Sequence, residues 1–266
     1  MVNQKIALVV DDEKEIVESV SDLLKKDLHY LVLSATEPEG AVDMAQNYLF
    51  DLLIIDLHMP RLDGFQVMEL VRKKQPSVKV MVITGLLDAY KDRLKHVRVD
   101  KIIEKPFDPD GFIKDVLRVA GAVDWPDRAK ASTNIPCAKI LIVDDEQEQC
   151  ECLRDFFQYD QPSEYTVEFT TKAEDGVRLV NEFEPDFLIF DIKMPYLKGD
   201  EMYQVIKKGN GHKPRVSIVV SAVTAPAIVE KMTLEGCVYI RKPFRIEPLL
   251  QLIRDKCLEF GLAKPV

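Results

Sequence analysis

Two ten-residue stretches decide the fold: Asp51-Leu-Leu-Ile-Ile-Asp56-Leu-His-Met-Pro60 and Asp186-Phe-Leu-Ile-Phe-Asp191-Ile-Lys-Met-Pro195. In each, an unbroken apolar run of strand length ends in one aspartate. A Met-Pro pair and a glycine, Gly64 or Gly199, then turn the chain into a new segment. Strands of a parallel sheet are buried on both faces and read as continuous apolar runs. The pattern therefore predicts two buried strands whose terminal aspartates reach the carboxyl edge of a sheet, where open α/β folds keep their binding sites.

The sequence contains an internal repeat that extends well beyond these two stretches. Val9-Val10-Asp11-Asp12-Glu13 recurs as Ile142-Val143-Asp144-Asp145-Glu146. Val82-Ile83-Thr84-Gly85 matches Val219-Val220-Ser221-Ala222, and Glu104-Lys105-Pro106-Phe107 matches Arg241-Lys242-Pro243-Phe244. Equivalent residues are separated by 133 to 137 positions at all of these landmarks. Because the separation hardly changes along the chain, we interpret the sequence as one domain duplicated in tandem.

Within each copy, apolar runs alternate with amphipathic segments of helical period, which is typical of βαβ units. The predicted strands lie near residues 5–10, 29–34, 51–56, 78–84 and 100–103, and near residues 139–143, 164–169, 186–191, 215–220 and 237–240. Helices are predicted to begin near Glu13, Glu37, Gly64, Leu87 and Pro109, with a final helix from about Glu247 to Phe260. We predict an α/β fold of two doubly wound, five-stranded parallel-sheet domains of the flavodoxin-like type. They cover residues 4–121 and 138–260, and a linker at residues 122–137 contains Trp125.

Composition and charge narrow the classes of protein to which this chain can belong. Of its 266 residues, 47% are hydrophobic and 30% are charged, as in ordinary globular proteins. The net charge of -9 argues against a nucleic-acid binder, which needs a basic face for phosphates. No apolar run approaches the thickness of a bilayer and no signal peptide precedes the first strand, so we expect a cytoplasmic protein without membrane contact. An odd set of five cysteines suits reduced thiols.

Charged and polar side chains are predicted to gather at one edge of each sheet. The carboxyl ends of strands one, three, four and five converge in a doubly wound fold, so residues that end these strands become neighbours. They are Asp11, Asp12, Asp56, Thr84 and Lys105 in the first copy and Asp144, Asp145, Asp191, Ser221 and Lys242 in the second. Carboxylates held together repel one another, which indicates a functional site and not a stabilising cluster.

A divalent cation would resolve this repulsion. Oxygen ligands in small number suit Mg²⁺, which accepts one or two carboxylates, a carbonyl and several waters. With the metal and the lysine offsetting charge, a carboxylate can act as a nucleophile toward a phosphoryl group, and the hydroxyl can donate a hydrogen bond to the product. The expected product is an aspartyl phosphate on Asp56 and on Asp191.

Each motif has a simpler interpretation when it stands alone. Asp11-Asp12 could cap a helix, and Asp56 could occupy a turn. Thr84 or Ser221 could merely end a strand. The recurrence of all the motifs in the same order in both copies favours the site over these interpretations.

In these motifs the sequence resembles the response regulator receiver domain of two-component signalling, over both halves and nearly the whole chain. The motifs are the acidic pair after strand one, the aspartate after strand three, the hydroxyl of strand four and the Lys-Pro-Phe after strand five. The resemblance implies Mg²⁺ held by Asp12 and Asp56 and by Asp145 and Asp191, with Asp11 or Asp144 assisting. It also implies backbone carbonyl ligands at His58 and Lys193, and cis bonds before Pro106 and Pro243.

The two copies differ in the residue that reads out phosphorylation in this family. The resemblance implies a two-state switch in which the hydroxyl moves toward the phosphoryl group and an aromatic of strand five turns inward. Tyr239 stands at this position, three residues before Lys242, whereas Ile102 stands three residues before Lys105. Because isoleucine has neither a ring nor a hydroxyl, we expect the usual readout in the second domain. The first should signal through the loop between strand four and helix four.

The resemblance implies a response regulator that is not itself an enzyme. It would accept phosphoryl groups from a histidine kinase or a phosphotransfer protein and act on a downstream protein target without binding nucleic acid. A homodimer is one assembly that the sequence allows. One alternative is that the chain is the regulatory part of a longer regulator with a catalytic output such as a diguanylate cyclase. An aspartate-nucleophile phosphatase is disfavoured, because it needs a second acid two residues beyond the nucleophile, where His58 and Lys193 stand.

Overall fold

The computed structural model describes residues 5–120, 134–160 and 163–265, and the chain divides into two compact units, Met1–Pro126 and Asp127–Val266. The first unit alternates strands and helices. Its elements are β1 (Ile6–Val10), α1 (Lys14–Lys26), β2 (Leu31–Ala35), α2 (Pro38–Asn47), β3 (Leu52–Ile55), α3 (Gly64–Lys74), β4 (Lys79–Thr84), α4 (Leu87–Leu94), β5 (Lys101–Glu104) and α5 (Pro109–Ala120). Each helix begins within one residue of the position predicted from the sequence.

The five strands of the first unit form one parallel sheet in the order β2-β1-β3-β4-β5. Strand β3 is the central strand and is buried at all of its positions. The register places Val10 opposite Ile55 and Ile55 opposite Val82, so the neighbouring strands end at the same edge of the sheet. The prediction of a doubly wound parallel sheet is confirmed.

Helices hold the first sheet by covering the apolar side chains of its strands. One core cluster joins Val20 of α1 and Phe112 of α5 to alternate strand residues such as Ile54. Helix α1 contacts α5, whereas α2 contacts α3. Successive strand residues point to opposite faces of a sheet, so an unbroken apolar strand needs cover on both sides. Each fully buried aliphatic side chain then contributes about 1.5–3 kcal/mol.

The second unit repeats this architecture. Its elements are β6 (Asn134–Val143), α6 (Gln147–Tyr159), β7 (Glu164–Thr170), α7 (Ala173–Phe183), β8 (Phe187–Phe190), α8 (Gly199–Lys208), β9 (Val216–Ser221), α9 (Pro226–Leu234), β10 (Val238–Arg241), α10 (Ile246–Glu259) and β11 (Ala263–Pro265). The parallel strands pair in the order β7-β6-β8-β9-β10, which is the counterpart of the first sheet.

The second sheet contains a strand that the sequence analysis did not predict. Strand β11 pairs antiparallel with the first residues of β6. As a result β6 begins at Asn134, inside the region predicted as the linker 122–137, and regular structure continues beyond residue 260, the predicted end of the domain. The pattern missed this pairing because Pro136 reads as a breaker, although proline is tolerated where a strand does not need its N–H. Trp125 lies outside the described residues.

Two expectations drawn from composition can be compared with the structure. All five cysteines are free, and Cys150, Cys237 and Cys257 are buried. Burial raises the pKa of the Cys150 thiol to about 12, so this side chain stays protonated at neutral pH. Among the helices in the described ranges, none combines the length and the apolar character needed to cross a bilayer.

The aspartate that opens each defining stretch ties the third strand of its unit to the first. Asp51 Oδ2 accepts a hydrogen bond from the Ile6 N–H at 3.0 Å. Asp186 Oδ2 accepts one from the Lys139 N–H, also at 3.0 Å. Each carboxylate therefore satisfies a backbone donor of the neighbouring strand and helps to align the two strands.

A glycine opens the third helix of each unit because this helix starts against the backbone that follows the third strand. A Cβ on Gly64 would lie 2.1 Å from the Asp56 carbonyl oxygen, and a Cβ on Gly199 would lie 1.9 Å from that of Asp191. The Gly64 N–H instead donates to the Leu57 carbonyl at 3.1 Å. The glycine thus lets the helix approach the strand end that carries the aspartate.

Replacing Gly64 with alanine should lower the free energy of unfolding by about 1–3 kcal/mol, the usual cost of forcing a methylene into a tightly packed site. The new Cβ would collide with a backbone oxygen, so the helix would have to move. Urea unfolding followed by circular dichroism measures the loss.

Gly85→Ala is the matched control, because a Cβ at Gly85 has no atom within 4 Å. This variant should change the free energy of unfolding by less than about 0.5 kcal/mol. Equal losses in the two variants would contradict the close approach of α3 to the end of β3.

Candidate functional site

In the first unit, residues from four strand ends share one pocket. Asp11 follows β1, Asp56 follows β3, Thr84 ends β4 and Lys105 follows β5. Since these strands are neighbours in the order β1-β3-β4-β5, their carboxyl ends lie side by side. Asp11, Asp56 and Thr84 are buried there, and Asp12 is exposed. The strand order thus brings together residues that are far apart in the sequence.

Lys105 is the cation at the centre of the first site. Its Nζ lies 2.7 Å from Asp11 Oδ2, 3.0 Å from Glu13 Oε1 and 3.9 Å from Asp56 Oδ2. Burial on its own would lower the pKa of Lys105, but hydrogen bonds and charges from these carboxylates raise it above its ordinary value. Lys105 is therefore held positively charged. Glu13 was not a predicted site residue, although its position directly after the acidic pair could have indicated it.

One oxygen of Asp56 has no hydrogen-bond partner among the described residues. Asp56 is only 5% exposed, and its buried Oδ1 has no partner within hydrogen-bond geometry, while Oδ2 faces Lys105. The backbone N–H groups of Leu57 and His58 are close enough to lower the pKa of this carboxyl in part. Burial raises the pKa of Asp56, and the charge of Lys105 opposes the rise. Burial also raises the pKa of Asp11. Because an unpartnered buried oxygen costs free energy, Oδ1 is an atom prepared for an incoming cation or electrophile.

Three carboxylates of the first site are close enough together to hold one metal ion. Asp11, Asp12 and Asp56 each offer an oxygen, and these oxygens lie within 4.8 Å of one another. A set of carboxylate oxygens, one of them without a partner, fits a hard divalent cation such as Mg²⁺. The side chain of His58 is exposed and is not part of this group.

The side chain of His58 binds a residue of helix α4 instead. Its Nδ1 lies 3.0 Å from the Tyr90 hydroxyl. The ring of Tyr90 also packs on Phe65 of α3, with 5.7 Å between the ring centroids. These contacts connect the loop after β3 to α4. Sequence reasoning did not single out Tyr90, because no local pattern relates two residues that lie 32 positions apart on different elements.

The second site has the same parts in a more closed arrangement. Lys242 Nζ lies 2.9 Å from Asp144 Oδ2 and 3.1 Å from Asp191 Oδ2. Asp191 Oδ1 accepts hydrogen bonds from the Ser221 hydroxyl at 2.6 Å and from the Lys193 backbone N–H at 3.0 Å. Burial alone would lower the pKa of Lys242, but the two aspartates raise it. The site is an ion-pair network in which both oxygens of Asp191 are engaged.

The two sites therefore differ in the number of hydrogen bonds that the central aspartate accepts. Thr84 does not donate to Asp56, and its hydroxyl oxygen instead accepts a hydrogen bond from the Leu86 N–H at 3.2 Å. Asp145 is exposed, and within the described ranges the grouping of three carboxylates within 4.8 Å occurs at the first site and not at the second. Asp191 Oδ1 already accepts two hydrogen bonds and would have to give one up to bind another group, whereas Oδ2 is held by Lys242 alone among the described residues.

The residues at the readout position of strand five have different surroundings. The hydroxyl of Tyr239, on β10, donates a hydrogen bond to the Val223 carbonyl in the loop after β9. Ile102, on β5, is 36% exposed. A tyrosine can exchange one hydrogen-bond partner for another, whereas an isoleucine has none to exchange. The structure thus gives the second domain a polar contact that the first lacks at this position.

Comparison with known proteins agrees with this geometry. The family model of the response regulator receiver domain matches residues 7–117 and, a second time, residues 140–254. The chain belongs to the receiver domain family. Its tandem arrangement is confirmed by the two matches, and the peptide bonds Lys105–Pro106 and Lys242–Pro243 are both cis, as the resemblance to receiver domains implied.

Curated relatives of these receiver domains align with about half of the chain. The probable transcriptional regulator ycf27 of Porphyridium aerugineum is 33% identical over 146 residues, which are 53% of this chain and 57% of the relative. The alkaline phosphatase synthesis transcriptional regulatory protein PhoP of Bacillus subtilis is 31% identical over 120 residues, which are 44% of this chain and 49% of the relative. The chain thus spans about half the length of the curated relatives that it matches.

Solved structures include receiver domains similar to parts of this chain. The chemotaxis response regulator CheY4 of Vibrio cholerae is 29% identical, and the alignment covers 44% of this chain and 98% of that structure with a TM-score of 0.41.

Asp56→Asn should raise the free energy of unfolding at pH 7 by about 1 kcal/mol, because a neutral amide of the same shape replaces a carboxylate whose ionised form is disfavoured by burial. The pKa of Asp56 is raised in the folded state, so its ionisation costs stability above that folded pKa. The gain should disappear as the pH falls through the raised pKa toward 3.8, the ordinary value, where Asp56 becomes protonated in both states. Urea unfolding over this pH range tests both statements.

Asp191→Asn is the matched comparison in the second domain. It weakens charged hydrogen bonds from Ser221 and Lys242, so the free energy of unfolding should fall by about 1–2 kcal/mol. A gain of the same size in both variants would mean that the two aspartates do not differ in their partners.

Proposed function

We propose that the chain is a two-component response regulator that is phosphorylated on Asp56 and Asp191 and signals by phosphorylation-dependent binding to another protein. The observation that carries this proposal is the recurrence of a buried aspartate beside a lysine and a hydroxyl at the carboxyl edge of both sheets. Membership of the receiver domain family supports a histidine kinase or a phosphotransfer protein as the phosphoryl donor. On this proposal the chain itself is not an enzyme, and a homodimer is one assembly that it allows.

The role of each residue follows from its contacts. A carboxylate oxygen of Asp56 attacks the donor's phosphorus atom. A new phosphorus–oxygen bond forms while the bond to the donor's leaving atom breaks, and the leaving group departs with that electron pair. Lys105, held charged by Asp11 and Glu13, offsets charge on the transferring oxygens. Thr84 then donates a hydrogen bond to a phosphoryl oxygen.

Mg²⁺ is the proposed cofactor of both domains. Its ligands would be Asp11, Asp12, Asp56 and the His58 carbonyl in the first domain, and Asp144, Asp145, Asp191 and the Lys193 carbonyl in the second. When bound, the ion would supply positive charge next to the phosphoryl oxygens. The unpartnered Oδ1 of Asp56 supports a site ready for the ion in the first domain.

We expect the first domain to accept the phosphoryl group more readily than the second. Asp56 has an oxygen that no other described residue binds, so Mg²⁺ can bind there without breaking a hydrogen bond and the other oxygen is left to react. Asp191 must first lose hydrogen bonds from Ser221, Lys193 or Lys242. Each such bond to a charged group contributes about 1.5–3 kcal/mol, so breaking one of them slows the reaction measurably.

The two domains would also report phosphorylation through different side chains. In the second, Tyr239 can leave the Val223 carbonyl and turn inward when Ser221 moves toward the phosphoryl group. In the first, Ile102 cannot do this, and the hydrogen bond between His58 and Tyr90 provides another route. A conformational change in the loop after β3 would then be transmitted to α4. This route agrees with the expectation that the first domain signals through the β4–α4 loop.

A second candidate function is that the chain regulates an output domain in a longer protein. The chain spans about half the length of its curated relatives, and several of them, including ycf27 and PhoP, are named as transcriptional regulators or transcriptional regulatory proteins. Another relative is named as a protein-glutamate methylesterase/protein-glutamine glutaminase. The full reading frame separates the candidates, because a stop soon after Val266 favours the regulator that acts by protein contact and an open frame favours the second candidate.

Incubation with Mg²⁺ and acetyl phosphate should add two phosphoryl groups to the protein, and the first should appear several times faster than the second. Asp56→Ala should abolish the fast addition, and Asp191→Ala the slow one. Intact-mass spectrometry over time measures both additions. Chelating Mg²⁺ should prevent them.

Ser221→Ala and Thr84→Ala together provide a control for the rate difference, because both remove the hydroxyl proposed to bind the phosphoryl group. Only Ser221→Ala also frees Asp191 Oδ1 from its shortest hydrogen bond, so it should slow the addition less than Thr84→Ala does. If Asp191 were modified first in the wild type, the inference that existing hydrogen bonds slow its phosphorylation would be wrong. If neither aspartate were modified by acetyl phosphate or by any histidine kinase, the proposed function would fail.

Tyr90→Phe should reduce the response of α4 to a phosphoryl mimic, since it removes the hydroxyl that binds His58 while keeping the ring on Phe65. The measurement is hydrogen exchange of the α4 amides before and after addition of Mg²⁺ and beryllofluoride. In the wild type these amides should change their exchange rates, and in the variant the change should be at least halved.

Tyr196→Phe is the control for this experiment, because Tyr196 is 99% exposed. It should leave the response of α4 unchanged. A full response in Tyr90→Phe would show that the hydrogen bond does not carry the signal.

A further inference from the structure

A groove of about 590 Å³ lies between α3 and α4 of the first domain, outside the phosphoacceptor site. Apolar side chains contribute to it, including Phe65, Met68 and Val97. The charged groups that line it are mainly basic and include Arg72 and Arg98. A basic groove is unexpected from composition, because the chain as a whole carries a net charge of -9.

Some cations of this groove have carboxylate partners. Lys73 pairs with Glu69 at 2.8 Å. Arg93 pairs with Asp63 at 2.5 Å, and its guanidinium also lies 4.0 Å from the Phe65 ring centroid. Pairs of this kind on a protein surface leave little net positive charge.

Arg72 and Arg98 are different, since neither has an ion-pair partner among the described residues. Arg72 is half-buried, and its Nη2 is buried without a hydrogen bond. The nearby carboxylate of Asp100 is held elsewhere, by Lys79 at 3.2 Å and by the Val80 N–H at 2.8 Å. Burial lowers the pKa of Arg72, Asp100 opposes this, and the charge of Arg98 lowers it further. Two arginines thus lie near each other and share the charge of one carboxylate, Asp100, which Lys79 already neutralises.

In the second domain, the residues that correspond to Arg72 and Arg98 neutralise each other. Helices α3 and α8 begin at equivalent glycines, so Arg72 corresponds to Lys207. Strands β5 and β10 begin at equivalent positions, so Arg98 corresponds to Glu235. Lys207 and Glu235 form an ion pair at 2.5 Å. The same pair of positions therefore carries opposite charges in one domain and like charges in the other.

A second cation of the corresponding groove is also neutralised. Lys231 of α9 pairs with Asp200 of α8 at 2.8 Å, and Glu230 and Glu235 add carboxylates to the groove itself. Cations without ion-pair partners in this groove are therefore a feature of the first domain and not of the fold in general. The difference concerns the residues at two facing positions, where like charges cost free energy that an anion would recover.

We propose that the α3–α4 groove of the first domain is a binding site for a small phosphate-bearing anion. Arginine forks bind phosphate oxygens through two parallel hydrogen bonds, and both Arg72 and Arg98 line the groove. A volume of about 590 Å³ falls within the usual range for small-molecule pockets, and the apolar part of the lining would contact the organic portion of the ligand. An acidic protein segment would offer carboxylates to the same arginines, and the experiment below separates the two.

The test is a calorimetric titration of the full chain with inorganic pyrophosphate and with ADP, in EDTA and without Mg²⁺. We expect binding at one site per chain that persists at 0.15 M salt. Arg98→Glu, which recreates the charge pattern of the second domain, should weaken this binding at least tenfold and should raise the melting temperature of the free protein. Arg98→Ala is a second variant with a smaller charge change and should also weaken binding.

Lys207→Ala is the matched control, because it removes a cation from the corresponding position of the other domain, and it should leave binding unchanged. Equal binding in Arg98→Glu and the wild type would overturn the proposal. So would equal binding of sulfate, or tighter binding of a polyglutamate peptide than of pyrophosphate. Loss of binding in Asp56→Asn with retention in Arg98→Glu would assign the anion to the phosphoacceptor pocket. Because Mg²⁺ is absent, these outcomes do not depend on phosphorylation of either aspartate.

Discussion

Each receiver domain depends on one lysine that neutralises carboxylates buried at the ends of its central strands. Lys105 and Lys242 lie after the fifth strand of their units, whereas the aspartates that they contact lie after the first and third. A buried carboxylate without a nearby cation would be strongly unfavourable. The cation and the carboxylates meet only when the sheet has the order in which strands one, three, four and five are neighbours. The site therefore depends on the topology, and the stability of the sheet edge depends on the site.

Duplication kept this arrangement but not its surroundings. Asp56 retains an oxygen without a partner, whereas Asp191 is enclosed by Ser221 and Lys242. A contact between the loop after β3 and α4 exists in the first domain, and a hydrogen bond from Tyr239 to the loop after β9 exists in the second. The charges at the groove between the third and fourth helices also differ, because Arg72 and Arg98 have the same sign in the first domain and Lys207 and Glu235 form an ion pair in the second. Two copies of one fold thus hold their central aspartates in different hydrogen-bonding environments.

Much of this molecule follows from local patterns. Apolar runs, amphipathic segments and a glycine after each Met-Pro pair placed the helices of the first unit within one residue of their observed starts. The grouping of Asp11, Asp56 and Lys105 followed from their positions at strand ends. The antiparallel strand β11 did not, because pairing of a short segment with Pro136 depends on a partner that is distant in the sequence. Tyr90 was not identified for a related reason, since its role arises from a contact with His58 and not from a motif. Glu13 belongs to the repeated motif, but its contact with Lys105 exists only in the folded chain.

The sequence by itself determined the repeat, the parallel sheets and the set of ionisable residues at each edge, because burial and backbone geometry act at fixed spacing along the chain. Only the tertiary structure decided which oxygen of Asp56 is without a partner and that both oxygens of Asp191 are bound. It also decided that Arg72 and Arg98 face a shared groove. These features depend on distances of a few ångströms between residues far apart in the chain, and such distances exist only after helices and strands have packed.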